Sequence, residues 1–190
     1  MEADWEIEIG GDAPIIEAHW AGFVDLRLDP RRAATLPEAS ALPALVDALV
    51  RLNAVGSPVW TSKCDVWEPA GFDPDEMDAP PGKGALALAC YIDVLPQTGR
   101  QWCLPAHAVF ACQALCRRLR AVPLLSCRAD LVVRRACISE ETEEYGVTAY
   151  LTACGSTLAE ARGALGAALS VFADTILGRD HRTPNTSTLQ

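Results

Sequence analysis

The chain predicts an α+β fold: a ferredoxin-like βαββαβ sandwich built by internal duplication, with an added N-terminal strand and an added C-terminal strand and helix. Three observations predict it. Apolar residues recur at helical spacing in three separate segments. Between these lie short segments with the alternation and turn boundaries of strands. Two stretches of the chain also resemble each other in order.

The resemblance is clearest where "PVWTSKCDV" (58–66) is laid over "PLLSCRADL" (123–131). Thr61 then matches Ser126, Lys63 matches Arg128 and Asp65 matches Asp130. Upstream, "RLNAV" (51–55) matches "RLRAV" (118–122), and "FVDLR" (23–27) matches "YIDVL" (91–95). Asp25 precedes Arg51 by 26 residues and Asp93 precedes Arg118 by 25. Two strand–helix–strand repeats, about 15–68 and 85–135, would give a four-stranded antiparallel sheet with two helices on one face.

Each element follows from local pattern. Residues 4–9 and 15–27 read as strands, separated by the turn "GGDAP", and 28–40 reads as a loop. A helix over 42–55 is signalled by Leu45, Leu49 and Leu52. A strand follows at 57–68, and 69–84 is an exposed loop rich in proline, glycine and acids. The second repeat supplies a strand at 85–95, a helix at 105–122 opened by Pro105, and a strand at 123–138. After an acidic turn at 139–146, a strand at 147–154 leads into a last helix. That helix has a capping box, Thr157 with Glu160, an apolar stripe through Leu158, Ala161, Leu165, Leu169, Phe172 and Ile176, and Gly178 as its stop. A single domain, 1–178, is expected, its C-terminal strand–helix unit spanning 146–178, with 179–190 a disordered tail.

Composition narrows the function. With 190 residues, half of them hydrophobic, the chain can bury a proper core. A net charge of -9 speaks against nucleic acid, and the densest basic cluster, "RRLR" (117–120), reads as a solvated helix flank. No apolar run reaches the roughly 20 residues of a membrane helix, and "MEADWEIEIGGD" has no signal-peptide pattern. An acidic, soluble, cytoplasmic protein with no membrane partner is expected. Eight cysteines occur without a CxxC pair, so buried thiols are expected. Cys103, His107, Cys112 and Cys116 have the best metal spacing, but Cys112 and Cys116 share an apolar face with Val109 and Leu119 while His107 points elsewhere. No metal or cofactor is assigned.

The alternation of side chains in strands then locates a candidate site. One parity is apolar or small: Leu88, Cys90, Ile92 and Val94, then Cys127, Ala129, Leu131 and Val133. It belongs under the helices. The other parity carries His19 and Asp25, Lys63 and Asp65, Tyr91 and Asp93, Arg128 and Asp130. Four strand aspartates mixed with cations and aromatics on an open sheet face form the candidate site. Asp25, Asp93 and His19 would be catalytic, with Asp25 and Asp93 on neighbouring strands sharing a proton or a cation. Lys63, Asp65, Arg128, Asp130 and Tyr91 would bind substrate, the two cations holding an anion. "ACGSTLAEA" (153–161) offers free amides at a helix start, read as an ordinary N-cap. No GxSxG, HExxH or GxGxxG motif is present.

The function expected from these residues is a small enzyme or ligand-binding protein acting on a polar, anionic metabolite through the charged face. The alternative is a non-catalytic assembly protein, such as a homodimer, joined through that face or through the C-terminal helix with its small residues Gly163, Ala164, Gly166 and Ala167.

Overall fold

The computed structural model describes residues 1–97, 102–139 and 142–179. The expected tail over 180–190 and the centre of the acidic turn, 140–141, lie outside these. Among the described residues the chain forms one six-stranded sheet and four α-helices, the mixed α+β architecture expected. The strands are β1 (Glu2–Glu8), β2 (Ile16–Glu17), β3 (Val59–Trp67), β4 (Leu86–Pro96), β5 (Cys127–Ser139) and β6 (Thr142–Gly155). The helices are α1 (Pro37–Ser40), α2 (Pro43–Leu52), α3 (Pro105–Arg120) and α4 (Leu158–Ile176). Short 3-10 turns occur at Pro30–Thr35 and Asp75–Met77. No described helix is long and apolar enough to cross a membrane.

Side by side the strands run β1-β5-β6-β4-β3. The pairs β5/β6, β6/β4 and β4/β3 are antiparallel, whereas β1 and β2 both pair with β5 in parallel. This departs from the expected duplication at one decisive place. Residues 15–27 do not form a central strand; only Ile16 and Glu17 pair. The chain then bends through backbone hydrogen bonds from Phe23 N to Trp20 O (2.9 Å) and from Leu28 N to Asp25 O (3.3 Å), with Gly22 at φ +94°. The slot between β5 and β4 is taken by β6. Its hairpin with β5 closes through the pair Ser139 and Thr142, a short loop that costs little chain entropy. The Asp25–Asp93 match thus joins a loop residue to a strand residue. Ser126, at φ +61°, sits ahead of β5, unlike Thr61 within β3.

Helices α2, α3 and α4 pack on one face of the sheet, with α4 against the central β6 and β4, α3 against β5 and β1, and α2 against α4 and β3. The core lies between them, and the apolar parity read from sequence enters it: Cys90, Ile92, Ala129 and Leu131 are fully buried, joined by Ala149 and Leu151 of β6. From α4, Leu165, Leu169 and Phe172 fill the space above. Thr157 Oγ1 accepts from Glu160 N at 3.2 Å, so the cap forms as expected. Glu160 Oε2 in turn accepts from Ser156 N, one residue earlier than a capping box requires. These bonds occupy Ser156 N and Glu160 N, leaving an ordinary N-cap rather than an anion site. A Cβ on Gly166 would lie 3.2 Å from Ala44 Cβ, so this small residue serves the approach of α4 to α2 within the chain.

The turn from β6 into α4 is tighter still. A Cβ at Gly155 would lie 2.6 Å from Glu160 Cβ and 2.7 Å from Ala161 N. Gly155→Ala is expected to cost about 1–3 kcal/mol, because the first turn of α4 must shift. In a chain of this size that lowers the melting point by about 2–4 °C per kcal/mol. A melting curve superimposable on wild type would show that the turn yields freely.

Candidate functional site

The second face of the sheet is roofed at both ends, and between them the row through Asp130, Tyr150, Tyr91 and Asp65 is open to solvent while its neighbour through Thr148 and Asp93 is buried. At one end Met77 and Phe72, from the loop after β3, pack on Ala87 and Cys154. At the other, Ile16, Ala18 and Phe23 pack on Trp60, Leu95 and Ala136, forming a small separate core. Trp60 holds this second cap from beneath. Its Nε1 donates to Pro96 O at 3.0 Å, the Arg27 guanidinium lies 3.9 Å from its ring centroid, and His19 stacks on it at 5.9 Å.

The strand register writes the open middle as rows of side chains. One row crosses the sheet as Asp4, Asp130, Tyr150, Tyr91 and Asp65. The next runs Glu6, Val132, Thr148 and Asp93. Opposite Asp93, β3 carries a bulge, with Ser62 and Lys63 filling the place of one residue. A bulge re-aims side chains and bends its strand. Here Ser62 Oγ donates to Glu17 O at 2.8 Å, tying the bulge to β2, and Lys63 pairs with Glu17 at 3.3 Å. The extra residue also resets the alternation. Thr61 faces the helices, where Asn53 Nδ2 donates to its hydroxyl at 2.8 Å, instead of joining the charged face.

Asp93 is the buried end of a chain of hydrogen bonds that runs from Glu8 through Arg134 and Thr148. It is 6 % exposed, and Thr148 Oγ1 donates to its Oδ1 at 2.6 Å. Arg134 Nη1 donates to Thr148 Oγ1 (3.3 Å) and to the Tyr150 hydroxyl (3.1 Å), while its Nη2 donates to Glu8 at 2.8 Å. Burial raises the Asp93 pKa; the Thr148 hydrogen bond and the charges of Arg134 and Lys63 oppose that rise without cancelling it. Burial likewise pushes the Tyr91 phenol up to about 12, so it stays protonated. Trp67, Tyr91 and Tyr150 form a triangle of rings with centroids 6.0–6.5 Å apart. Beside them a cleft of about 590 Å³ opens around the bulge, lined by Trp20, Glu38, Lys63, Asp65 and Tyr91 among others. Cys64 also lines it, but burial pushes its thiol up to about 12, which keeps it out of nucleophilic chemistry near neutral pH.

The structure brings Lys63, Asp65, Tyr91 and Asp93 together. Asp130 stands in the same row as Tyr91 and Asp65, with Arg128 bound to it at 2.9 and 3.0 Å and to Glu76 at 3.3 Å. It does not bring Asp25 beside Asp93. Asp25 and His19 lie on the cap, and Asp25 is locked to Arg27 by hydrogen bonds of 2.7 and 2.8 Å that hold its carboxyl below the usual range. The shared aspartate pair fails because 18–27 is not a strand. Among the described residues no group of three or more His, Cys, Asp or Glu side chains is placed to hold a metal ion. Cys112 and Cys116 are buried in the core, while Cys103 is exposed.

Thr148, Tyr150, Arg134 and Glu8 belong to the site and were not selected from sequence. The first two had a legible signal, since "VTAYLTAC" places polar side chains at 148, 150 and 152 on one face. No family model, curated protein or solved structure matches the chain.

Proposed function

We propose that the protein binds a polar, ring-bearing small molecule in the open trough and the adjoining cleft, as a ligand-binding protein or a small enzyme. The observation that carries this reading is the row Asp65–Tyr91–Tyr150–Asp130 beside the buried Asp93, a set of flat apolar rings bracketed by acids. Stacking on the rings and hydrogen bonding at the acids would fix such a ligand. The expected preference for an anion loses support, because Arg128, Arg134 and Lys63 are each already paired with a carboxylate. The acids outnumber them, so a ligand with a cationic centre complements the trough better. Asp93, with its raised pKa, is the group suited to hold or move a proton there.

Other features support the setting. None of the eight cysteines is in a disulfide, which fits a reducing, cytoplasmic compartment. The fold can be read as a ferredoxin-like arrangement in permuted order. Taken as β6-α4-β3-β4-α3-β5, the four antiparallel strands and two helices follow the βαββαβ plan. The assembly reading, a homodimer through the open face, has the partly exposed Trp67 in its favour.

The test is a thermal-shift screen of aromatic amines, purine and pterin-like rings and their anionic counterparts, with Tyr91→Ala and Tyr150→Ala alongside. A cationic ring compound should raise the melting point of wild type through linkage, and each variant should weaken binding about tenfold, the order of one ring contact. Shifts that persist in both variants would remove the trough as the site. A concentration-dependent dimer abolished by Trp67→Ala would favour assembly instead.

A further inference from the structure

A second hollow lies on the helix side of the sheet, with the sheet itself between it and the trough. It occupies about 220 Å³ between α3 and α4, over the start of β3, the end of β4 and the first half of β6. Its walls are apolar: Val59, Val94, Leu115, Val147, Phe172 and Ile176. Phe172, Val94 and Val147 are buried core residues beneath it, and the half-buried Trp102, Leu115 and Ile176 form its accessible wall. Interiors are normally packed without room for a ligand, and an apolar space of this kind holds water poorly.

Among the described residues one charged side chain lines it. Arg118, from the last turn of α3, is exposed, and its guanidinium has no hydrogen bond or ion pair among the described residues. Its place at the hollow sets it apart from the other exposed arginines. An apolar wall with an unpaired guanidinium beside it calls for an amphipathic ligand with a hydrocarbon body and an anionic head. A guanidinium takes a carboxylate in bidentate fashion. A cavity of ~150 Å³ holds benzene, so this one accommodates roughly nine non-hydrogen atoms. We infer that the cavity between α3 and α4 binds a medium-chain carboxylate, its chain against Leu115 and Ile176 and its head on Arg118.

The test is isothermal titration of the full chain with butanoate, hexanoate and octanoate, and with octan-1-ol as an uncharged control. Affinity should rise about fourfold for each methylene added, the contribution of burying one such group. Arg118→Gln should weaken octanoate about tenfold and leave octan-1-ol unchanged. Ala114→Phe, which fills the hollow from α3, should abolish both. The chain-length series in wild type stands whether or not the filled variant folds. No heat with octanoate at millimolar concentration, affinity independent of chain length, or binding untouched by a folded Ala114→Phe variant would overturn the assignment. Octanoate and octan-1-ol binding alike, with Arg118→Gln silent, would overturn the carboxylate head.

Discussion

Trp60→Ala is expected to cost roughly 3–5 kcal/mol, the range for deleting a buried aromatic side chain. That is a large part of the ~5–15 kcal/mol by which a domain is stable. The effect should also be local. Trp60 is 2 % exposed, and it is the floor on which Ile16, Ala18, Phe23, His19 and Arg27 rest. Without it, the cap over residues 14–28 loses its apolar base and its cation–π contact together. Limited proteolysis should therefore cut the variant within this segment at denaturant concentrations where the helices remain folded. Trp60→Phe keeps most of the packing and loses the hydrogen bond to Pro96, so it should recover all but about 1–2 kcal/mol. If Trp60→Ala cost under about 1 kcal/mol, the second core would be a surface contact and the cap would be held by Ser62 and the β2 pairing.

The same cap explains where sequence reading stopped. Residues 15–27 carry enough apolar side chains to pass for a strand, and Ile16, Ala18 and Phe23 are indeed packed. They are apolar because they cover the second face of a sheet, and periodicity cannot distinguish covering a sheet from joining it. The helix-facing parity of β4 and β5 was legible because each strand buries a whole side, so every second residue from Leu88 to Val94 and from Cys127 to Val133 is apolar or small. In β3 the extra residue at Ser62 and Lys63 puts Thr61 on the face opposite Lys63 and Asp65, and nothing in the sequence marks where such a residue enters a strand. Asp65, Tyr91, Asp93 and Asp130 were found because aspartate and tyrosine on an otherwise apolar strand stand out locally. Thr148 and Arg134 were missed because their role depends on β6 lying beside β4 and β5, a non-local pairing. The Asp25–Asp93 correspondence shows the converse. Two similar pentapeptides hold their aspartates for different reasons, one to clamp Arg27 in a loop and one to sit buried beneath the trough.

Asp93→Asn should make the protein at least as stable as wild type at neutral pH while removing its affinity for a cationic ligand. The sign follows from the raised pKa of the buried carboxyl. Below the unfolded value of about 3.9, both states hold the proton and Asp93 carries no electrostatic cost. As pH rises from there to the folded value, the unfolded chain releases the proton and the native state retains it. Stability is lost across that window and stays lost above it. Each tenfold displacement of the acid constant carries about 1.4 kcal/mol. Asparagine does not ionise, and its carbonyl can still accept from Thr148, so the variant escapes the loss. Urea unfolding of both proteins between pH 3 and pH 8 should therefore give curves that approach each other in acid and diverge toward neutrality, with the variant above. Divergence of the opposite sign would mean that Arg134 and Lys63 stabilise the carboxylate more than burial penalises it, making Asp93 a structural anion. A group kept in place at a cost to stability is one expected at a functional site. A variant that is both more stable and unable to bind would locate the function of the trough at this single carboxyl.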